Sequence, residues 1–273
     1  DSKIISNDFN VINEKDKSHL VKCIANYLTN NNISAVLANY GPSGVEIMNI
    51  CHQYNIPLVV HFDGYDAYRS DILDSFGREY HRLFEKASAI IAVSKDMYKQ
   101  LRKLKADKNK ISIIPCGYND SIFSYHPVNR ESKQFVSCGR FVEKKGPDIS
   151  INAFAELSKK YPDCTLKMVG EGPLLNHCKS LVKKIGIQDS VSFVGIKTQK
   201  EINAIYNNSC GFLLHSLKTS SRDSEGTPVA LLEAAACGLP VITTDHAGNN
   251  EVITHKRTGF IVEEGNKENM VKY

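Results

Sequence analysis

Residues 135–169 read FVSCGRFVEKKGPDISINAFAELSKKYPDCTLKMV, and this stretch decides the fold class. It opens on a short apolar run, 135–138, that stops at Gly139, and it closes on a second, 165–169. Between them 147–160 carries a helical pattern that begins near Pro147. Strand, helix and strand in that order form a crossover unit, the connection that parallel strands require. Working outward, the same alternation covers the chain. Further strands are predicted at 34–39, 57–61, 88–93, 111–114, 191–194, 210–214, 240–243 and 259–262. Helices are predicted among them at 17–30, 44–54, 71–87, 173–185 and 228–237. Near-continuous apolar strands bounded by Gly and Pro belong to parallel sheets covered on both faces. The fold class is α/β.

A length of 273 residues suits two domains. The segment NDSIFSYHPVNRESKQ, 119–134, shows neither periodicity, so the boundary is placed near residue 128. Residues 1–128 then hold four strands and 129–273 hold six, as a Rossmann-like domain often does. Composition is ordinary for a globular protein, 42% hydrophobic and 23% charged, which excludes disorder and a disulfide miniprotein. A net charge of +4 is too mild for a nucleic-acid binder. No apolar run approaches the roughly 20 residues that span a bilayer. Eight cysteines without a C-x-x-C pair fit no zinc pattern and read as small buried hydrophobes. The expected compartment is the reducing cytoplasm, with no signal peptide at the start.

The chemistry concentrates in EGTPVALLEAAACGLP, 225–240. Pro228 suits a first helical position, Gly238 the position past the end, and Pro240 forbids continuation. Glu233 is the only charge on this otherwise apolar helix, and a buried carboxylate is costly unless paired or hydrogen-bonded. Either a structural partner, such as an Arg or a backbone amide, satisfies it, or it accepts hydrogen bonds from ligand hydroxyls. Glu225 lies in the loop that feeds the helix, where free N–H groups and the helix dipole favour an anion. A second segment, FVSCGRFVEKKGPD at 135–148, projects Arg140 and Lys145 at the C-terminal edge of a strand. Open α/β sheets bind ligands at that edge, and two cations there suit a diphosphate; a solvated basic loop is the alternative. VGEGP at 169–173 places Gly170, Glu171 and Gly172 at a tight turn where backbone can approach a ligand closely. VGIK at 194–197 offers Gly195, Ile196 and Lys197 to a nucleobase.

GRFVEKKG at 139–146, VGEGP at 169–173 and the E-x7-E spacing of Glu225 and Glu233 resemble the hallmark motifs of glycosyltransferase family 4. In the first half AVLANYGPSGVEIMNICHQYNIPLVVHFDGYD (35–66), IIAVSKDM (90–97) and IIPCGYNDSIF (113–123) are similar to members that build bacterial surface polysaccharides of the colanic-acid type. The resemblance implies a retaining enzyme of the GT-B fold, two Rossmann-like domains facing across a cleft. It implies Arg140 and Lys145 on the leaving diphosphate, with Glu225 against the transferred sugar. Glu233 would take the ribose hydroxyls, and Gly226, Thr227, Pro228 and Val229 would cradle sugar and phosphate. Tyr40, His61, Asp63, Tyr65 and Ser94 would lie on the sugar and acceptor side. The donor would be a UDP- or GDP-linked sugar and the acceptor a lipid- or glycan-linked one. No D-x-D appears, so neither a metal nor a resident cofactor is expected.

The chain departs from the family at Asp63, where many relatives carry His, and at Asn119, where Asp is common. The family's first strand and glycine-rich loop would precede residue 1, and its closing helices would follow Tyr273. The basic run LRKLKADKNK, 101–110, reads as a helix C-terminus favouring cations or as peripheral contact with an anionic membrane. Of the histidines only His61 is placed at a functional strand end; His177, His246 and His255 read as surface or loop residues. Two other functions compete with transfer: a sugar-nucleotide epimerase or hydrolase, and a non-catalytic nucleotide-binding fragment.

Overall fold

The computed structural model of the chain describes residues 14–129 and 131–273. The chain divides into two compact units, the first reaching to Val93 and adding Met97–Ile114, the second holding Ser94–Asp96 and Pro115–Tyr273. The division therefore falls after residue 114 and not near 128. The physical reason is Phe123, which is buried in the core of the second unit beside Tyr206 and Phe212. His126 N–H also donates to Cys237 O at 3.3 Å. An aperiodic segment can still be anchored by one aromatic side chain.

The first unit carries β1 (Val36–Asn39), β2 (Leu58–Phe62), β3 (Ala89–Ala92) and β4 (Ile111–Ile113). They form one parallel sheet in chain order. Helices α1 (Glu14–Asn30), α2 (Gly41–Gln53), α3 (Tyr65–Tyr68), α4 (Ser70–Lys86) and α5 (Lys95–Lys103) connect the strands or border them. Val60, Phe62 and Ile90 are fully buried, as inward positions of a covered parallel sheet must be. In the basic run, Lys110 Nζ donates to three carbonyls at the end of α4, Phe84 O, Glu85 O and Ala87 O, at 2.7–3.0 Å. That part of the run is a helix-end cap.

The second unit carries β5 (Gln134–Cys138), β6 (Thr165–Val169), β7 (Val191–Phe193), β8 (Gly211–Leu214), β9 (Val241–Thr244) and β10 (Gly259–Val262). All six are parallel, in the spatial order β7-β6-β5-β8-β9-β10. Numbered from β5, this is 3-2-1-4-5-6, the order of a doubly wound nucleotide-binding sheet. Both faces are covered because the strands alternate their apolar side chains. Val136, Phe212 and Val241 pack with Leu231 and Ala234 of α9 (Val229–Ala236). Leu166, Met168 and Leu213 pack on the opposite face with Ile151 and Phe154 of α6 (Pro147–Lys160) and with Val182 of α7 (Leu175–Ile185). The helix α8 spans Gln199–Asn207, and α10 (Asn249–Val252) and α11 (Lys267–Lys272) follow β9 and β10. The chain runs outward in opposite directions from β5 and β8, so their C-terminal ends flank the topological switch point.

Candidate functional site

Loops 139–146 and 215–228 leave β5 and β8 at that switch point, and two adjacent lysines of the first fasten the second. Lys145 Nζ meets Glu225 Oε2 at 3.0 Å, with both side chains largely buried. Lys144 turns the other way, to Asp223 Oδ1 at 3.1 Å and Ser224 O at 3.2 Å. Arg140 is exposed, and its guanidinium has no ion pair or hydrogen bond to a described residue. Beneath it a small pocket is lined by Cys138, Gly139, Arg140, Lys145 and Leu214.

The two carboxylates of the E-x7-E pattern occupy different environments. Burial pushes Glu225 up, but Lys145, Lys144 and the surrounding donors outweigh it and hold the carboxyl below its ordinary range. Its second oxygen, Oε1, is buried without a hydrogen-bond partner among the described residues. Glu233 is only 6% exposed. No described residue gives its carboxylate a hydrogen bond or ion pair, and burial pushes it up to about 7. The Arg or backbone partner that would make Glu233 purely structural is not there among the described residues. Pro228 is the N-cap of α9 and not its first helical residue, and it supplies no side-chain acceptor to the first-turn N–H groups. Gly226, Thr227 and Pro228 are buried, whereas Val229 is exposed.

The glycines of VGEGP also make a close approach within the chain itself. A Cβ on Gly170 would stand 2.1 Å from Gly139 O, and one on Gly172 would stand 2.6 Å from Phe141 O. Gly170 sits at φ +122° and Gly172 at φ +152°. What approaches these glycines is the backbone of the Arg140 loop, held by Phe141 N–H to Glu171 O at 2.8 Å and Gly139 N–H to Val169 O at 3.0 Å. The turn is a clamp on that loop. Beyond it, Gly195 O accepts from Gly170 N–H, and Ile196 is 73% exposed, an apolar side chain open to solvent. Lys197 is in an i,i+4 ion pair with Glu201 at 3.1 Å.

Two histidines of the second unit were misread or missed. His246 is buried, not a surface residue: its Nε2 lies 3.2 Å from Glu225 N and its Nδ1 2.6 Å from Glu264 Oε1. His215 follows β8 at a functional strand end, a position the sequence reading reserved for His61. It is fully buried, accepts from Gly265 N–H at 2.8 Å, and is pushed down to about 4 by burial. Neither has a spacing motif, and only the proximity of a strand end could have signalled His215.

In the first unit, Tyr40, His61, Asp63 and Tyr65 gather at the C-terminal end of β2. Tyr40 N–H donates to His61 O at 2.8 Å, and the rings of Tyr40 and Tyr65 lie 5.1 Å apart. The organiser is a residue outside the predicted set. Asp66 is fully buried and accepts from the N–H groups of Gly41, Asp63 and Gly64 at 2.9–3.2 Å. Burial raises it to about 6, with those amides pulling the other way. Ser94, past the end of β3, is buried. Among the described residues no group of three or more His, Cys, Asp or Glu side chains is gathered as a metal ion would need. Nor is any helix among them long and apolar enough to cross a membrane.

Residues 119–273 match the family model described as glycosyl transferases group 1, and residues 17–121 match the glycosyltransferase family 4 model. The chain is 31% identical over 209 residues to the amylovoran biosynthesis glycosyltransferase AmsK of Erwinia amylovora, covering 76% of this chain and 51% of that protein. It is 29% identical over 232 residues to WcaL of Escherichia coli (strain K12), named for colanic acid biosynthesis, covering 84% of this chain and 57% of that one. The chain thus spans between about half and three fifths of the length of these relatives. Among solved structures, Anabaena HepE in complex with UDP superposes with a TM-score of 0.80 at 18% identity, over 93% of this chain and 71% of that one. The fold is GT-B, two Rossmann-like units each with its own parallel sheet.

Proposed function

The chain belongs to the glycosyl transferases group 1 family, and from that premise we propose that it transfers a sugar from a nucleotide-diphospho-sugar, with retention at the anomeric carbon. The acceptor in this reading is a lipid- or glycan-linked saccharide of surface polysaccharide biosynthesis; AmsK is named for amylovoran and WcaL for colanic acid biosynthesis. The observation that carries the reading is Glu233, a buried carboxylate without a partner among the described residues at the switch point. A charge in that state needs donors, and vicinal ribose hydroxyls supply two. Arg140 and Lys145 then face the diphosphate. Charge developing on a leaving phosphate is met by fixed cations, the electrostatic arrangement that lowers such barriers most. Glu225, with Oε2 on Lys145 and Oε1 unpartnered, accepts a hydroxyl of the transferred sugar. The first-turn amides of α9 add their dipole to the phosphates, and Ile196 offers an apolar platform to the base. On the acceptor side the group around Asp66 presents Tyr40, His61, Asp63 and Tyr65. The protein acts in the cytoplasm, at the inner face of the membrane.

The test is an incubation of the full-length protein with UDP- and GDP-linked sugars, with and without a lipid-linked saccharide. The anomeric configuration of the product is read by NMR. Transfer that needs acceptor and retains configuration is the expected result. Donor loss that proceeds equally without acceptor would identify a hydrolase or epimerase instead.

A further inference from the structure

The loop that carries Glu225 is fixed from a side that the proposed reaction does not touch. His246, past the end of β9, is 3% exposed. Its Nε2 lies 3.2 Å from Glu225 N and 3.2 Å from Ser224 Oγ, and its Nδ1 lies 2.6 Å from Glu264 Oε1. A backbone N–H can only donate, so Nε2 must accept and carry no proton. The neutral ring then holds its proton on Nδ1, where Glu264 receives it. Which nitrogen is protonated is set by the bond the other one makes. Glu264 is itself anchored, since its Oε2 accepts from Lys218 N–H at 2.9 Å. The same stretch reaches the next residue of the loop, Gly248 N–H donating to Gly226 O at 3.2 Å.

We propose that Glu264 and His246 form a positioning dyad that sets the backbone of Glu225, so that its unpartnered Oε1 faces the transferred sugar. This rests on the reading of Glu225 as a sugar contact. Lys145 is the cation that holds Glu225 Oε2. A bound diphosphate competes for that ammonium, and the Glu225 side chain loses part of its restraint when the ligand arrives. The bond from Glu225 N–H to His246 is independent of the ligand and persists. A shift of about 1 Å at such a group costs as much as 10²-fold in rate.

The experiment uses the full-length protein and its His246→Ala, His246→Gln, Glu264→Gln and Glu225→Gln variants. The probes are UDP, GDP and their glucose and mannose conjugates, titrated calorimetrically to give the preference for intact donor over free nucleotide. His246→Ala is expected to reduce that preference by the same factor as Glu225→Gln, on the order of tenfold, and to add nothing in the double variant. His246→Gln, whose amide oxygen can reach the Nε2 position, keeps the preference within about twofold. Glu264→Gln, which still offers Nδ1–H an acceptor, falls between them. If Glu225→Gln loses the preference while His246→Ala lowers only the melting temperature, the dyad is merely structural and the inference is overturned. If Glu225→Gln itself leaves the preference intact, the sugar-contact reading fails and the dyad falls with it. Should His246→Ala not fold, the wild-type imidazole ¹⁵N spectrum decides. An unprotonated Nε2 and a protonated Nδ1 support the dyad, and a protonated Nε2 excludes it.

Discussion

Glu225 and Glu233 are one residue type, eight positions apart, one in the loop after β8 and one in α9, and they are held in opposite ways. Around Glu225 the protein supplies Lys145 on one oxygen and His246 on the backbone, and the carboxyl stays ionised although buried. Around Glu233 the described residues supply only burial, and the carboxyl is pushed up to about 7. The difference teaches which charge the protein compensates with a cation and which it leaves to burial. A compensated carboxylate stays ionised although buried; an uncompensated one changes its protonation when donors arrive.

The largest effect expected from breaking this comparison comes at Lys145. Lys145→Ala should lower kcat/KM by on the order of 10²–10³, the loss of one preorganised donor. It also strands Glu225 as an unpaired buried charge, which typically costs about 3–5 kcal/mol of stability. Denaturant melts should show that loss, and the Lys145→Met/Glu225→Gln double variant should recover most of it. An unchanged melting midpoint in Lys145→Ala would mean that the pair does not hold the loop.

At Glu233 the sign reverses. Its folded pKa lies above the ordinary 4.5, so stability is fully present below about pH 4.5 and is lost as pH rises to about 7. Glu233→Gln removes that loss. The variant should be more stable than wild type at pH 8, by at most roughly 3 kcal/mol, and indistinguishable below pH 4.5. At the same time it should bind free UDP or GDP more weakly, a gain in stability at the expense of function. A Glu233→Gln protein that is less stable at pH 8 would show that the carboxylate has a partner in the folded chain.

The smallest effect is expected at Lys197. Its bond to Glu201 is a surface i,i+4 pair of the kind worth about 0.3–0.5 kcal/mol. Lys197→Ala should change nucleotide affinity by less than about threefold, whereas Ile196→Ser should weaken it more. A larger loss at Lys197 would move the base contact from the apolar side chain to the cation.

The strands were legible because parallel sheets demand continuous apolar runs, and VVH in β2 or IIA in β3 could be little else. Strand order was not legible: nothing local in GFLL, 211–214, says that it lies beside 134–138. Placing the boundary near 128 failed because a single buried aromatic, Phe123, ties an aperiodic segment to the second unit. Within the site, Glu225, Glu233, Arg140 and Lys145 stood out as charges where the pattern called for apolar residues or strand-end loops. Lys144, Asp66 and His246 did not, since each has at least one partner far away in the sequence, Asp223, Gly41 and Glu225 respectively. Gly170 and Gly172 were recognised as positions of close approach, but what approaches is the chain itself.

Glu233 lacks a side-chain partner among the described residues, and the central claim is that its partner is the nucleotide. Calorimetric titration of UDP and GDP at pH 7, in buffers of different ionisation enthalpy, measures this directly. A carboxyl half-protonated at that pH becomes fully ionised when ribose hydroxyls donate to it. Binding should therefore release about half a proton beyond the exchange seen with Glu233→Gln. Proton exchange identical in wild type and Glu233→Gln would contradict the claim.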